Sequence, residues 1–79
     1  MMQLEGSYAV KAGRKLSIQC LRILGEEHEL RVLQSAAGYY IGTLDEFGCP
    51  NSRDSGYYAT AEDAQAELDA GTFQARYDP

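Results

Sequence analysis

Apolar residues recur at alternate positions through much of this chain, and the runs break at turns rich in glycine or charge. From Lys15, the residues Leu16, Ile18 and Cys20 alternate with Ser17 and Gln19, the period expected of a half-buried strand. The phase then slips, with Leu21, Ile23 and Leu24 apolar around Arg22. A bulge near Cys20, or a strand end covered on both sides, accounts for the slip. Residues 25–28 read as a turn. Over residues 29–35 Leu30 and Val32 alternate with Arg31, and Leu33 falls on the Arg31 side. The two runs are expected to form a hairpin. Ser35, Ala36, Ala37 and Gly38 turn the chain into a third strand over residues 39–44, with Tyr39 and Ile41 favoured inward. Gly42 inside it suggests a bulge or a close approach.

Residues 45–55 read as a long polar loop, Tyr57 and Tyr58 as the start of a fourth strand. Thr60 is the expected N-cap of a helix over residues 61–70, with Glu62 and Asp63 in its first turn and Gly71 as its C-cap. Its inner face holds Ala61, Ala64, Gln65 and Leu68. Residues 72–79 are a tail or hold a short strand over 72–77 anchored by Phe73, and residues 1–14 are loose or supply an edge strand over 7–10. The fold class is α+β in a single domain over residues 1–79: a three- to four-stranded, mostly antiparallel sheet with one helix packed on one face. One helix leaves the other face open. Leu21, Ile23, Leu33 and one member of each tyrosine pair would stand near it, unless a bulge turns the leucines inward.

Composition sharpens this picture only in part. With 44% hydrophobic and 24% charged residues the chain is that of a folded globular domain. The net charge of −5 is uneven. Lys11, Arg14, Lys15 and Arg22 face only Glu5 in residues 1–24, whereas acids dominate residues 44–79. Such a balance disfavours nucleic-acid binding unless the basic N-terminal third provides it, and suits a soluble surface or a basic protein partner. Cys20 reads as a small core residue and Cys49 as a loop residue, without a bridge. No run approaches the length of a membrane span, and residues 1–6 lack a signal peptide's basic and apolar regions, so a cytoplasmic location is expected.

Little chemistry is visible. His28 lies between Glu27 and Glu29 in a turn, and the carboxylates of Asp45, Glu46 and Asp54 do not follow the spacing of an EF-hand. Arg53 could act as a finger toward an acidic partner or as an internal clamp on Asp45 or Asp54. No metal, cofactor or catalytic residue is expected, and an enzyme is not. The candidate binding residues are Tyr40, Tyr58, Arg53, Asp45, Glu46, Leu21, Ile23 and Leu33. The tyrosine pairs are the strongest signal, as a rigid and partly polar platform.

The pattern Gly38, Tyr39, Tyr40, Ile41, Gly42, Thr43, then Ser52 and Arg53, Gly56, Tyr57, Tyr58, then Thr60, Glu62, Ala64 and Leu68, resembles small uncharacterised bacterial proteins, some of them phage- or plasmid-borne. That likeness supplies no function. In a looser way the chain is similar to HicB-type antitoxins, in which a Gly-Tyr-Tyr strand leads to a Gly-Cys turn (here Gly48 and Cys49) and a Thr-capped helix rich in Glu and Ala. Here the intervening loop is longer, Phe47 stands where those proteins carry proline, and no DNA-binding extension is expected. The resemblance implies masking of a small basic ribonuclease toxin. The residues themselves lead to a non-enzymatic module that binds a protein, or a second copy of itself as a homodimer, through the open sheet face, the tyrosines and the 45–55 loop. Nucleic-acid contact through the basic third is the alternative.

Overall fold

Ser17 redirects the chain. Its hydroxyl accepts the backbone N–H of Cys20 at 3.1 Å and caps a short helix, α1 (Ile18–Ile23). The alternation that begins at Lys15 is therefore a strand only as far as Leu16. Beyond it the apolar positions follow helical spacing, and Ile18 and Leu21 pack with Ala9 and Leu16 in a small core. The slip at Cys20 is a change of period, not a bulge, and it turns Leu21 inward while leaving Ile23 on the outside.

The computed structural model describes residues 3–4 and 8–73. The strands are β1 (Gln3–Leu4), β2 (Ala9–Lys11), β3 (Arg14–Leu16), β4 (Arg31–Ser35), β5 (Gly38–Leu44) and β6 (Pro50–Tyr58), and α2 (Ala61–Ala70) follows them. They form two antiparallel three-stranded sheets, β1-β2-β3 and β4-β5-β6. The protein is thus α+β with antiparallel sheets, as expected, but it carries a second small sheet and a second helix. The hairpin expected between residues 15–24 and 29–35 shrinks to one bridge, Leu16 to Glu29, because α1 takes its residues out of the ladder. Two hydrogen bonds close this junction, from Ser17 N–H to the His28 carbonyl at 3.0 Å and from Leu30 N–H to the Lys15 carbonyl at 2.9 Å.

The long loop expected over residues 45–55 is a tight turn followed by strand. Asp45 N–H donates to the Cys49 carbonyl at 2.8 Å, and Asp45 Oδ1 accepts from Phe47 and Cys49 N–H at 2.9 Å each. Residues 51–55 stay in β6 although they are polar. Shifts of register between Tyr40 and Gly42, and between Thr43 and Leu44, absorb the extra residues of β6, and the polar side chains find partners in the interior. Gly42 meets both readings made for it: it borders a shift, and a Cβ there would collide with the Ser52 carbonyl oxygen.

The main core lies between α2 and the central strand, where Leu30, Ile41, Leu68 and Phe73 are buried with Tyr8, Val32 and Tyr58 against them. Thr60 Oγ1 accepts Asp63 N–H at 3.1 Å and Gly71 ends α2 with φ of 70°, so both expected caps are in place. Gln65, expected inward, is exposed and donates to Asp69 instead. Phe73 is buried as the anchor of its segment, whereas the strand expected beyond it, and Ser7 of the expected edge strand, lie outside the described residues. Among the described residues no helix is long and apolar enough to cross a membrane.

Candidate functional site

Three groupings of side chains are candidates, and the sequence foresaw parts of two. The first is interior. Asp54 is fully buried; Ser17 Oγ donates to its Oδ2 at 2.5 Å and Ser52 Oγ to its Oδ1 at 2.7 Å. Ser52 also contacts Thr43 Oγ1 at 2.7 Å, and Asn51 Nδ2 donates to Thr43 Oγ1 at 3.3 Å. Cys20 Sγ lies 3.5 Å from Thr43 Oγ1. Burial raises the Asp54 carboxyl above its ordinary pKa of 3.8, against the pull of the two serine hydroxyls. This network ties α1 to the sheet, with each of these polar groups meeting another. Both cysteines are free, Cys20 buried and Cys49 exposed.

The second grouping is the sheet face away from the helices. Ile41 packs on α2 and Thr43 on α1, so both helices share one face. Register places Arg31, Leu33, Tyr40, Gly42, Arg53 and Tyr57 on the other. The expectation that Tyr40 and Tyr58 form the exposed platform is overturned. Tyr40 is only 6% exposed, under the edge of Tyr57 with ring centroids 5.8 Å apart. Tyr58 belongs to the α2 face, where burial and the nearby Glu67 raise its phenol above its ordinary pKa. The exposed ring is Tyr57. Arg53 stacks on it at 4.9 Å from the centroid and donates to the Ser55 carbonyl at 2.8 Å, an internal clamp directed at backbone and ring. Leu33 is half-buried on this face, whereas Leu21 has left it for the small core.

The third grouping is one end of the molecule, where the end of α1 meets the 45–49 turn. Ile23 is 70% exposed, Leu24 50% and Phe47 82%. A depression of about 150 Å³ lined by Gln19, Ile23, Leu24 and Asn51 adjoins a groove of about 350 Å³ lined by Glu26, His28, Asp45, Glu46, Phe47 and Asn51. Asn51 belongs to both, so the apolar residues and the carboxylates share one surface. Gln19 Oε1 is buried and has no hydrogen-bond partner among the described residues. His28 Nε2 lies 2.9 Å from Glu26 Oε1. Of the eight candidate binding residues, this end gathers Ile23, Asp45 and Glu46; it adds Phe47 and Leu24, which sequence reasoning passed over. Phe47 stood out as the sole large apolar residue in a stretch read as polar.

The basic N-terminal third is largely engaged by its own neighbours. Lys11 Nζ lies 2.5 Å from Glu27 Oε2, Arg14 3.9 Å from Glu27 Oε1, and Lys15 sits over the Tyr8 ring at 5.6 Å. The bond with Lys11 holds the Glu27 carboxyl below its ordinary 4.5. Among the described residues no three His, Cys, Asp or Glu side chains come together as a metal site. No family model, curated protein or solved structure matches the chain.

Proposed function

We propose that the protein is a non-enzymatic binding module whose contact surface is this apolar, carboxylate-rimmed end and whose partner is a basic protein. The observation that carries it is the convergence of Ile23, Leu24 and Phe47 around Asn51, beside Glu26, Asp45 and Glu46. Large exposed apolar side chains gathered at one place and rimmed by charge are the usual anatomy of a protein contact, with the apolar centre supplying affinity and the rim supplying choice of partner. An accessory or inhibitor role, including the masking of a basic ribonuclease in the manner of HicB-type antitoxins, is one form of this reading.

Affinity capture with the wild-type chain, Phe47→Ser and Glu46→Lys tests it, because both positions are exposed. The wild type should retain a protein of positive net charge that elutes as salt rises, and both variants should lose it by at least about tenfold, the factor that 1.4 kcal/mol represents. Equal retention by all three chains removes this end as the contact surface.

A further inference from the structure

The outward side of α1 carries a stripe of its own. Gln19, Arg22 and Ile23 recur at helical spacing, away from the small core that takes Ile18 and Leu21. Glu26 is held beside the last turn, because its N–H donates to the Cys20 carbonyl at 3.3 Å. Ile23 projects between two hollows. One of about 200 Å³ is lined by Ile18, Gln19, Arg22 and Ile23 itself, and the other is the depression of about 150 Å³ that Ile23 shares with Leu24 and Asn51. Arg22 is exposed and makes no ion pair among the described residues, whereas Glu26 meets His28 and still keeps its carboxylate exposed.

A projecting branched side chain beside an apolar hollow, with a cation and an anion on the same stripe, is the complement of itself turned through 180°. A partner of one charge would leave either Arg22 or Glu26 facing its own sign. We propose that α1 packs antiparallel against α1 of a second copy, about a two-fold axis that passes beside Ile23. Each Ile23 enters the hollow next to Arg22 of the other copy, and each Arg22 faces the other copy's Glu26, so every contact is made twice. Six helical residues bury less surface than a permanent dimer needs, and a net charge of −5 on each copy opposes the approach. The pairing is therefore transient and depends on concentration. This inference goes beyond the proposed function, since it needs neither Phe47 nor the carboxylates of the 45–49 turn. A basic partner bound at that end competes with the second copy for Ile23.

Light scattering on the full chain, over a concentration series up to roughly 1 mM, tests it. The wild type should rise from 8.7 kDa toward twice that mass. Arg22→Glu and Glu26→Arg alone should each need at least about tenfold more protein to do so, because each sets like charges against one another on both sides of the axis. An equimolar mixture of the two should pair where the wild type does, since the mixed dimer restores both contacts between opposite charges. Phe47→Ser should pair as the wild type does. A wild type that is monomeric throughout, single variants that pair unchanged, a mixture that pairs no better than they do, or loss of pairing in Phe47→Ser overturns the inference. Capture of a basic protein by a chain that never pairs leaves the proposed function standing, whereas pairing by a chain that captures nothing leaves this inference standing alone.

Discussion

Gly42 and Asp54 show how much depends on single positions in so small an interior. At Gly42 the backbone of β6 comes so close that a methyl group has no room, since the Ser52 carbonyl oxygen occupies its place and the Tyr40 ring lies beside it. Backbone yields less readily than a side chain. Gly42→Ala should therefore lose about 1–3 kcal/mol, read as a lower denaturant midpoint at unchanged slope. Asp54 presents the opposite problem, a carboxylate out of water that the hydroxyls of Ser17 and Ser52 hold. Its pKa in the fold is above 3.8, so the folded protein takes up the proton first as pH falls. Its cost is present above the folded pKa, declines as pH drops through that value toward 3.8, and is gone once both states are protonated. Glu27 acts with the other sign: its contribution is present above 4.5 and is lost as pH falls through its lowered folded value. In a Glu27→Gln background, stability should rise between about pH 7 and about pH 4 through Asp54. Adding Asp54→Asn should flatten that rise, as measured by denaturant titration at each pH. A rise that persists in the double variant would assign it to another group.

At the scale of elements, α1 hangs on Ser17. The same hydroxyl accepts from Cys20 N–H and donates to Asp54, capping the helix and pinning it to β6. Ser17→Ala removes both bonds and leaves a buried carboxylate one donor short. A loss of about 2–3 kcal/mol is expected, with a selective rise in amide exchange over residues 18–23. This helix is also where sequence and structure part. Leu16, Ile18 and Cys20 alternate as well as any strand, and a helix of six residues contains too few turns for its own period to show. The capping-box acid that would have marked the start is missing, since Cys20 occupies that position. By contrast α2 carried its caps, Thr60 and Gly71, in plain view, and β5 carried its tyrosines. β6 was misread because Asn51, Ser52, Asp54 and Ser55 have the composition of a loop. Their alternative to water, the hydroxyls and thiol of Ser17, Thr43 and Cys20, comes from distant parts of the chain. The candidate site was half legible for the same reason: Asp45 and Glu46 were noticed as charges, whereas Phe47 and Leu24 became a surface only once α1 had brought residues 23–24 beside the turn.

For the molecule as a whole, the helices decide which surfaces remain. Both lie against the face that bears Ile41 and Thr43, and the two small cores are built on that side, one around Leu68 and one around Leu16. Tyr8 meets α2 where Gly71 ends it, since a Cβ on Gly71 would strike the Tyr8 ring, and the same ring lies 5.9 Å from Phe73. The first sheet is thereby joined to the second layer at the helix end as well as at the Leu16–Glu29 bridge. Among the described residues, the surfaces left outward include the face that bears Arg31 and the end that bears Glu46 and Phe47.

The closure of the chain at Ser17 and His28 bears on how such a body diversifies. Between those residues the backbone leaves the sheets and comes back, and the paired amide bonds at its neck hold the frame shut behind it. Substitutions at Ile23, Leu24 and Glu26 alter the far end of that excursion without touching a strand. A lineage could therefore reshape the surface at the tip by rewriting a few letters, while the scaffold beneath is inherited intact.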